Sequence, residues 1–294
     1  MKNKKYLVLG AGSFLGSSFL DYMMKSNYEI FGVSSFQRNK NIIGSDYSKN
    51  SLDNVLRDIN PDVVYDFKLS KVSSNQSDFN DSFETMFANN QNIINSLKKY
   101  GKNIDLHLIS TSKLINNLDT SHPYLKLKKA QEFLYKEDLS AIASLNIHRV
   151  ENIVGKRDMN FSRILPFFFG SALVNKSVKF SSLSTYRRNY LTVEQFNQNL
   201  ESIDKTPETN INNNSVPLTN ENLISKAKLY FEKMMKIEVP VYWNNGEDSF
   251  RHYVNENKLN AEFFLDLQEI AHWYISNEEI VSEEFNKYQG SFSA

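Results

Sequence analysis

Cysteine is absent from this chain, and with it go disulfides, thiolate zinc sites and thiol nucleophiles. Net charge is absent too: 34 basic residues balance 34 acidic ones, so no global field draws in nucleic acid or an anionic membrane. Long apolar runs are missing. The densest, Ile164 to Phe169, contains Pro166 and falls far short of the ~20 residues that span a bilayer. Behind the Lys-rich start only Tyr6 to Leu9 is continuously apolar, too short for the core of a signal peptide. No His/carboxylate spacing suggests a metal, and no internal repeat is present. These absences read as a soluble, cytoplasmic protein with neither nucleic-acid nor membrane partners. A length of 294 residues suits one large domain or two modest ones.

What is there alternates. Lys5–Leu9 reads as a buried strand, followed by the glycine turn Gly10-Ala-Gly-Ser-Phe-Leu-Gly16 and a helix to about Lys25. Tyr28–Ser34 is a second strand, 51–59 an amphipathic helix, and Pro61-Asp-Val-Val-Tyr-Asp-Phe67 a turn into another strand. A helix over 81–100 ends at Gly101, 104–109 is a strand, a helix follows at Tyr124, and 141–149 is a strand again. This alternation implies an α/β fold: a Rossmann-type, doubly wound parallel sheet with helices on both faces. After Gly155 the pattern breaks into a helix at 163–174, short strands at 178–180 and 190–193, a polar loop at 207–215, a helix at 223–236 and a strand at 239–242. Residues 1–156 are therefore expected to form the cofactor-binding domain. Residues 157–294 are expected to form a smaller α+β, mainly substrate-binding region, with some strands free to return to the first sheet.

Two stretches carry chemistry. In the glycine turn, Gly10, Gly12, Ser13, Phe14, Leu15 and Gly16 let the backbone approach a pyrophosphate whose charge rests on a helix N-terminus; the same letters also suit an ordinary tight turn. After the second strand no acid appears until Asp46. Ser34, Ser35 and Arg38 stand where donors to a 2′-phosphate are needed, which favours NADP(H) over NAD(H). Arg38 and Lys40 also read as a solvated loop, and Asp46 either accepts from the adenine amino group or starts a turn. In Ser121-His-Pro-Tyr-Leu-Lys-Leu-Lys128, Pro123 suits the first helical turn and Ser121 its cap. Tyr124 and Lys128 then share one helix face. A neighbouring ammonium makes a phenol a better acid, so the pair can move a proton at a substrate oxygen, although such pairs also arise by chance in Lys-rich helices. His107 reads as a packed imidazole, His122 has a possible place in the pocket beside Tyr124, and Phe167–Phe169 read as core or a cover for a base.

Together these pieces resemble the extended short-chain dehydrogenase/reductase family, the NAD-dependent epimerases, dehydratases and reductases of nucleotide sugars. Gly10 to Gly16 is similar to the GxxGxxG of that family, with Ser13 as the middle residue, and Asp46 fits the acid after its third strand. Pro61 to Leu69 is similar to PDVVxHLAA, with Asp66 and Lys68 replacing His and Ala, and puts Phe67 and Lys68 beside the cofactor; Asn89 matches an Asn of the following helix. The resemblance implies Thr111 as the third catalytic group, with Ser112 as runner-up. Tyr124-x-x-x-Lys128-x-x-x-Glu132 matches throughout. It also implies Asn152, in Arg149-x-x-Asn-x-x-Gly155, and Arg188, in Arg187-Arg-Asn-Tyr-Leu-Thr-Val193, as contacts to a nucleotide diphosphate, with Arg251 as a further substrate contact.

By the same resemblance the substrate is a nucleotide sugar and the partner a second copy, paired through helices 81–100 and 123–137. Thr111 and Tyr124 are only thirteen positions apart, which resembles the CDP-paratose and CDP-abequose synthases, reductases that make surface-polysaccharide (O-antigen, lipopolysaccharide) sugars. Ser112-Lys113 replaces the Asp–Glu pair of the dehydratases. The expected activity is NADPH-dependent reduction of a nucleotide-linked 4-keto-6-deoxysugar. A nucleotide-sugar 4-epimerase is the alternative, and a non-catalytic NADP-sensing protein the alternative from another class.

Overall fold

A computed structural model describes residues 4–26, 28–35, 41–68, 76–100, 103–116, 122–139, 143–181, 186–203, 207–243 and 258–291. The elements in order are β1 (Lys5–Leu9), α1 (Phe14–Met23), β2 (Glu29–Ser34), β3 (Ile42–Gly44), α2 (Lys49–Ile59), β4 (Val63–Asp66), α3 (Gln76–Tyr100), β5 (Ile104–Thr111), α4 (Lys113–Asn116), α5 (Pro123–Leu139) and β6 (Ala143–Val150). They continue with β7 (Asn152–Val154), α6 (Ile164–Asn175), β8 (Val178–Phe180), β9 (Arg188–Thr192), α7 (Val193–Ser202), β10 (Glu208–Ile211), β11 (Val216–Leu218), α8 (Asn220–Met235), β12 (Val241–Trp243), α9 (Lys258–Ser276) and α10 (Glu278–Gly290). Among the described residues no helix is long and apolar enough to cross a membrane.

The chain divides into two compact units, Met1–Val150 with Asn199–Ile211, and Glu151–Gln198 with Asn212–Ala294. The first unit is built on a seven-stranded sheet in the order β3-β2-β1-β4-β5-β6-β10, every pairing parallel. Strands β1 and β4 are short and mostly apolar, and β5 is buried over most of its eight residues, because both faces of the sheet are covered here. Leu7, Val64 and Leu106 are fully buried, and Ile93, Ile94 and Leu97 of α3 pack into the same core. Helix ends are set locally. Ser48 caps α2 through the Ser51 N–H, and Asn60 closes that helix in the left-handed conformation.

One expectation fails here. The stretch 207–215 is not all loop, since Glu208–Ile211 pairs in parallel with Ile147–Val150 as the seventh strand. Only Ile211 of its four residues is buried, so an edge strand with little apolar content left no strand pattern to read. Helix α3 also starts at Gln76, five residues before its expected beginning.

The second unit holds a three-stranded sheet, β11-β9-β7, and a two-stranded one, β12-β8. Its core is aromatic: Phe161, Phe168, Phe169, Phe231, Phe263, Tyr274 and Phe285 are buried together, with Phe169 stacked on Tyr274 at 4.5 Å. The Phe167–Phe169 run lies in α6; Phe168 and Phe169 are buried in this core and Phe167 packs against it.

Candidate active site

All seven strands of the first sheet point the same way, so their C-terminal ends share one edge. The strand order reverses between β1 and β4, which is where open α/β sheets leave a crevice for ligands. Gly10 sits there with φ of +76°, and a Cβ on it would lie 2.9 Å from the Lys68 nitrogen and the Phe67 carbonyl carbon. A Cβ on Gly16 would reach within 2.3 Å of the Gly10 oxygen, so α1 rests directly on the turn. Ser13, in place of a glycine, makes the turn rigid: its hydroxyl donates to the Gly10 oxygen at 2.8 Å and accepts from the Gly16 N–H at 3.1 Å. A cradle this tight, at a helix N-terminus and at the reversal point, fits the pyrophosphate of a dinucleotide.

Of the residues expected around that cofactor, Phe14 and Leu15 open α1. Ser34 is buried at the end of β2 and Ser35 is exposed, whereas Arg38 lies outside the described residues. Asp46 is exposed, and its carboxylate takes the Ser48 N–H at 2.9 Å; the Ser48 hydroxyl first, and then that N–H, hold it below the usual carboxylate range. Phe67 is buried and Asn89 half-buried, and the Lys68 ammonium lies 4.0 Å above the Tyr47 ring. Tyr47 belongs to no sequence motif. Yet its hydroxyl accepts from the Gly10 N–H at 2.8 Å and donates to the Val33 oxygen at 2.9 Å, pinning the glycine turn from behind.

The Tyr–Lys helix docks beside this edge. Pro123 occupies the first turn of α5, where the His122 carbonyl accepts from Leu125 and Lys126; Ser121 lies outside the described residues. Tyr124 is half-buried. Lys128, one turn on, is buried and donates to the Ile109 carbonyl at 2.7 Å and the Gln131 Oε1 at 3.1 Å. Burial lowers its pKa to about 8, while Asp66 and Glu132 act in the opposite direction. Two residues beyond Ile109, Thr111 ends β5 buried, its hydroxyl accepting from the Lys113 N–H at 3.4 Å. Ser112 is half-buried, with its N–H on the Val150 oxygen at 3.0 Å. Lys128 on α5 is thus bonded to β5 two residues before Thr111, and Tyr124 precedes Lys128 by one turn of the same helix.

Glu132, the last member of the same motif, does something else. It accepts from the Ser110 hydroxyl at 2.5 Å and receives Arg149 through Nε at 3.1 Å and Nη2 at 2.6 Å. Arg149 also reaches Glu208, and Lys136 joins that carboxylate at 2.5 Å. These bonds tie α5 to β5, β6 and β10.

Behind Lys128, Asp66 is fully buried. It accepts the Tyr135 hydroxyl at 2.5 Å and the Lys68 N–H at 2.7 Å. Burial raises its pKa, against the pull of Tyr135 and the two lysines. Gln131 and Tyr135 were visible as polar residues three and seven positions after Lys128, on the same helix face, but no motif flags them.

Asn152 and Arg188 lie in the second unit on neighbouring strands. Asn152 pairs with Tyr190 in the β7–β9 register and donates to the Asn189 carbonyl at 3.0 Å, whereas Arg188 is exposed at the start of β9. Arg251 lies outside the described residues.

The profile of the NAD dependent epimerase/dehydratase family matches residues 6–196 of this chain. No curated protein sequence matches it. Among solved structures it is similar to WbmH of Bordetella bronchiseptica in complex with NAD+ (TM-score 0.71, 14% identity, covering 94% of this chain and 100% of that one). The UDP-glucose 4-epimerase of Thermotoga maritima with UDP-glucose superposes at a TM-score of 0.70 and 16% identity, over 94% and 100% of the two chains. The dTDP-glucose 4,6-dehydratase of Bacillus anthracis in complex with NAD gives 0.69 and 19%, over 96% and 99%. Likenesses at this level of identity establish the fold.

Proposed function

The chain belongs to the NAD-dependent epimerase/dehydratase family, and on that premise we propose that it reduces the keto group of a nucleotide-linked 4-keto-6-deoxysugar, with NADP(H) preferred over NAD(H). The observation that carries this reading is the bond from Lys128 Nζ to the Ile109 carbonyl, because it holds the Tyr–Lys helix against the strand end that presents Thr111. The glycine turn Gly10–Gly16 would hold the pyrophosphate of a nicotinamide dinucleotide, which when bound would supply the hydride. Tyr124 gives its proton to the substrate oxygen as negative charge gathers there. Lys128, one turn away, favours the phenolate that Tyr124 becomes. An ammonium has three donors; two go to Ile109 and Gln131, and we assign the third to a ribose hydroxyl of the dinucleotide. Thr111, with Ser112 beside it, steadies the oxygen with a fixed hydroxyl. Asn152 and Arg188 are the proposed contacts to the nucleotide diphosphate, the arginine in its two-pronged mode.

The preference for NADP(H) rests on Ser34 and Ser35, hydroxyls where an NAD site places an acid, with Arg38 following. Reduction rather than dehydration rests on Ser112-Lys113, which supplies no acid–base pair after Thr111. A 4-epimerase is the second reading, favoured by the likeness to the Thermotoga epimerase. We also propose a homodimer through α3 and α5, which leave Phe87 and Phe133 exposed at 43% and 61%.

The test is consumption of NADPH, and of NADH in parallel, against a panel of nucleotide-linked 4-keto-6-deoxysugars with simple ketones as controls. Turnover is expected with at least one nucleotide sugar and none with the ketones; silence across the panel would sink the substrate class. Dialysis followed by an absorbance scan separates the two readings, because a reductase releases its dinucleotide and an epimerase retains it.

A further inference from the structure

Four buried polar side chains behind Lys128 take no part in the proton chemistry. Asp66, Gln131 and Tyr135 are 0% exposed and Asn90 is 1% exposed. Burying such groups is costly unless each finds its partner, and a position needed only for packing is filled more cheaply by an apolar residue. Here the partners are specific. Gln131 accepts from Lys128 through Oε1 at 3.1 Å, and its Nε2 donates to the Lys68 carbonyl at 3.2 Å and to Asn90 Oδ1 at 3.3 Å. Lys128 offers only donors and a carbonyl only lone pairs, so the amide fits in one orientation and its flipped form loses its bonds to both. Asp66 completes the arrangement. It holds the Lys68 N–H at 2.7 Å while Tyr135, one turn after Gln131 on α5, fixes its other oxygen at 2.5 Å. The Lys68 backbone is therefore clasped at its N–H by Asp66 and at its carbonyl by Gln131. That same Lys68 nitrogen is the atom a Cβ on Gly10 would strike.

We propose that Gln131, locked by Asp66 and Tyr135 through the Lys68 backbone, is a positioning residue that sets the place and the charge of Lys128 relative to the glycine turn. This rests on the reading of Lys128 as a group that meets the dinucleotide. The charged groups facing Lys128 are Asp66 from β4 and Glu132 on its own helix; Lys68, a second cation, leans on the same Asp66 carboxylate, and Tyr124 and Tyr135 are the phenols of α5. From α3 it meets neutral Asn90 through Gln131, and from β5 the Ile109 carbonyl. Burial works against the ammonium, and the Gln131 oxygen stabilises it by accepting a hydrogen bond from it.

The experiment follows binding of NADPH and NADH by their own fluorescence between pH 6 and 10, beside a thermal melt of each variant. Wild-type affinity is expected to fall as Lys128 loses its proton, with a midpoint near the pKa of about 8. Gln131→Leu removes the acceptor, and its midpoint should move down by about one unit, a roughly fivefold weaker affinity at pH 8 that approaches tenfold above about pH 9. Gln131→Glu keeps the acceptor and adds charge, so its midpoint should move up; it also carries the test if the leucine variant does not fold. Lys128→Met should flatten the profile. If Lys128→Met keeps the wild-type profile, the reading of Lys128 at the dinucleotide falls. If Lys128→Met flattens it while both Gln131 variants stay at the wild-type midpoint, the positioning role falls alone.

Discussion

One turn of α5 separates two buried charges that are held in opposite ways. Lys128 is held by neutral acceptors, a carbonyl and an amide, and burial leaves its proton loosely bound. Glu132 is matched by a full counter-charge: Arg149 grips both of its oxygens, and the bond to Glu132 raises the arginine's own proton affinity further. A buried charge whose hydrogen bonds all go to neutral acceptors, with its carboxylates nearby but not bonded to it, is expensive to keep and easy to perturb, while a bonded ion pair is costly only when the pair is broken. The difference separates chemistry from architecture within a single nine-residue motif, Tyr124 to Glu132.

That contrast can be broken by exchanging the two effects. Lys128→Met should cost at least ~100-fold in turnover while leaving the melting temperature unchanged or raised, since an ammonium no longer has to be desolvated. Glu132→Ala should do the reverse. Its side chain and that of Arg149 are only 8% and 16% exposed, so a guanidinium left with Glu208 alone should lower the unfolding free energy by about 3 kcal/mol in urea titrations. Equal stability losses in the two variants would erase the distinction.

A second buried pair sharpens it at a smaller scale. His107 Nδ1 and His148 Nε2 meet at 2.8 Å between β5 and β6, and burial, then His107, lower the His148 pKa to about 3. The unfolded chain takes up this proton below the ordinary value of 6.5, but the folded chain does so only near 3. Stability should therefore fall as pH drops from 6.5 towards 3, by at most about 1.4 kcal/mol per unit. His148→Leu should flatten that limb in urea midpoints measured across the range. Smallest is Thr219→Ala, which removes the hydroxyl that accepts from the Asn222 N–H at 3.1 Å at the start of α8. It should cost about 1 kcal/mol and leave turnover unchanged.

Much of the first unit was legible because its signals are local. The glycine turn must be glycine where a Cβ would strike Lys68, and Tyr124 and Lys128 are one turn apart by spacing alone. What escaped depends on distant partners. Asp66 makes sense only beside Tyr135, 69 positions away, and Gln131 only beside the Lys68 carbonyl, 63 away. Strand β10 is held on the sheet edge by backbone pairing with β6 and by Glu208, bound to Arg149 and Lys136, and only Ile211 is buried, so its sequence looks like a polar loop. In the acidic tail, α10 starts on Glu278 and Glu279, which suit the positive end of a helix but carry little apolar pattern; its hold is Val281 and Phe285 in the aromatic core.

The account turns on Tyr124 as the proton donor next to Lys128. The direct measurement is single-turnover reduction by wild type and Tyr124→Phe, with the nucleotide sugar identified from the panel and matched dinucleotide occupancy. A loss of about 10²–10⁴-fold in the hydride-transfer rate, with unchanged dinucleotide affinity, is the predicted result. A rate within a few-fold of wild type would contradict it.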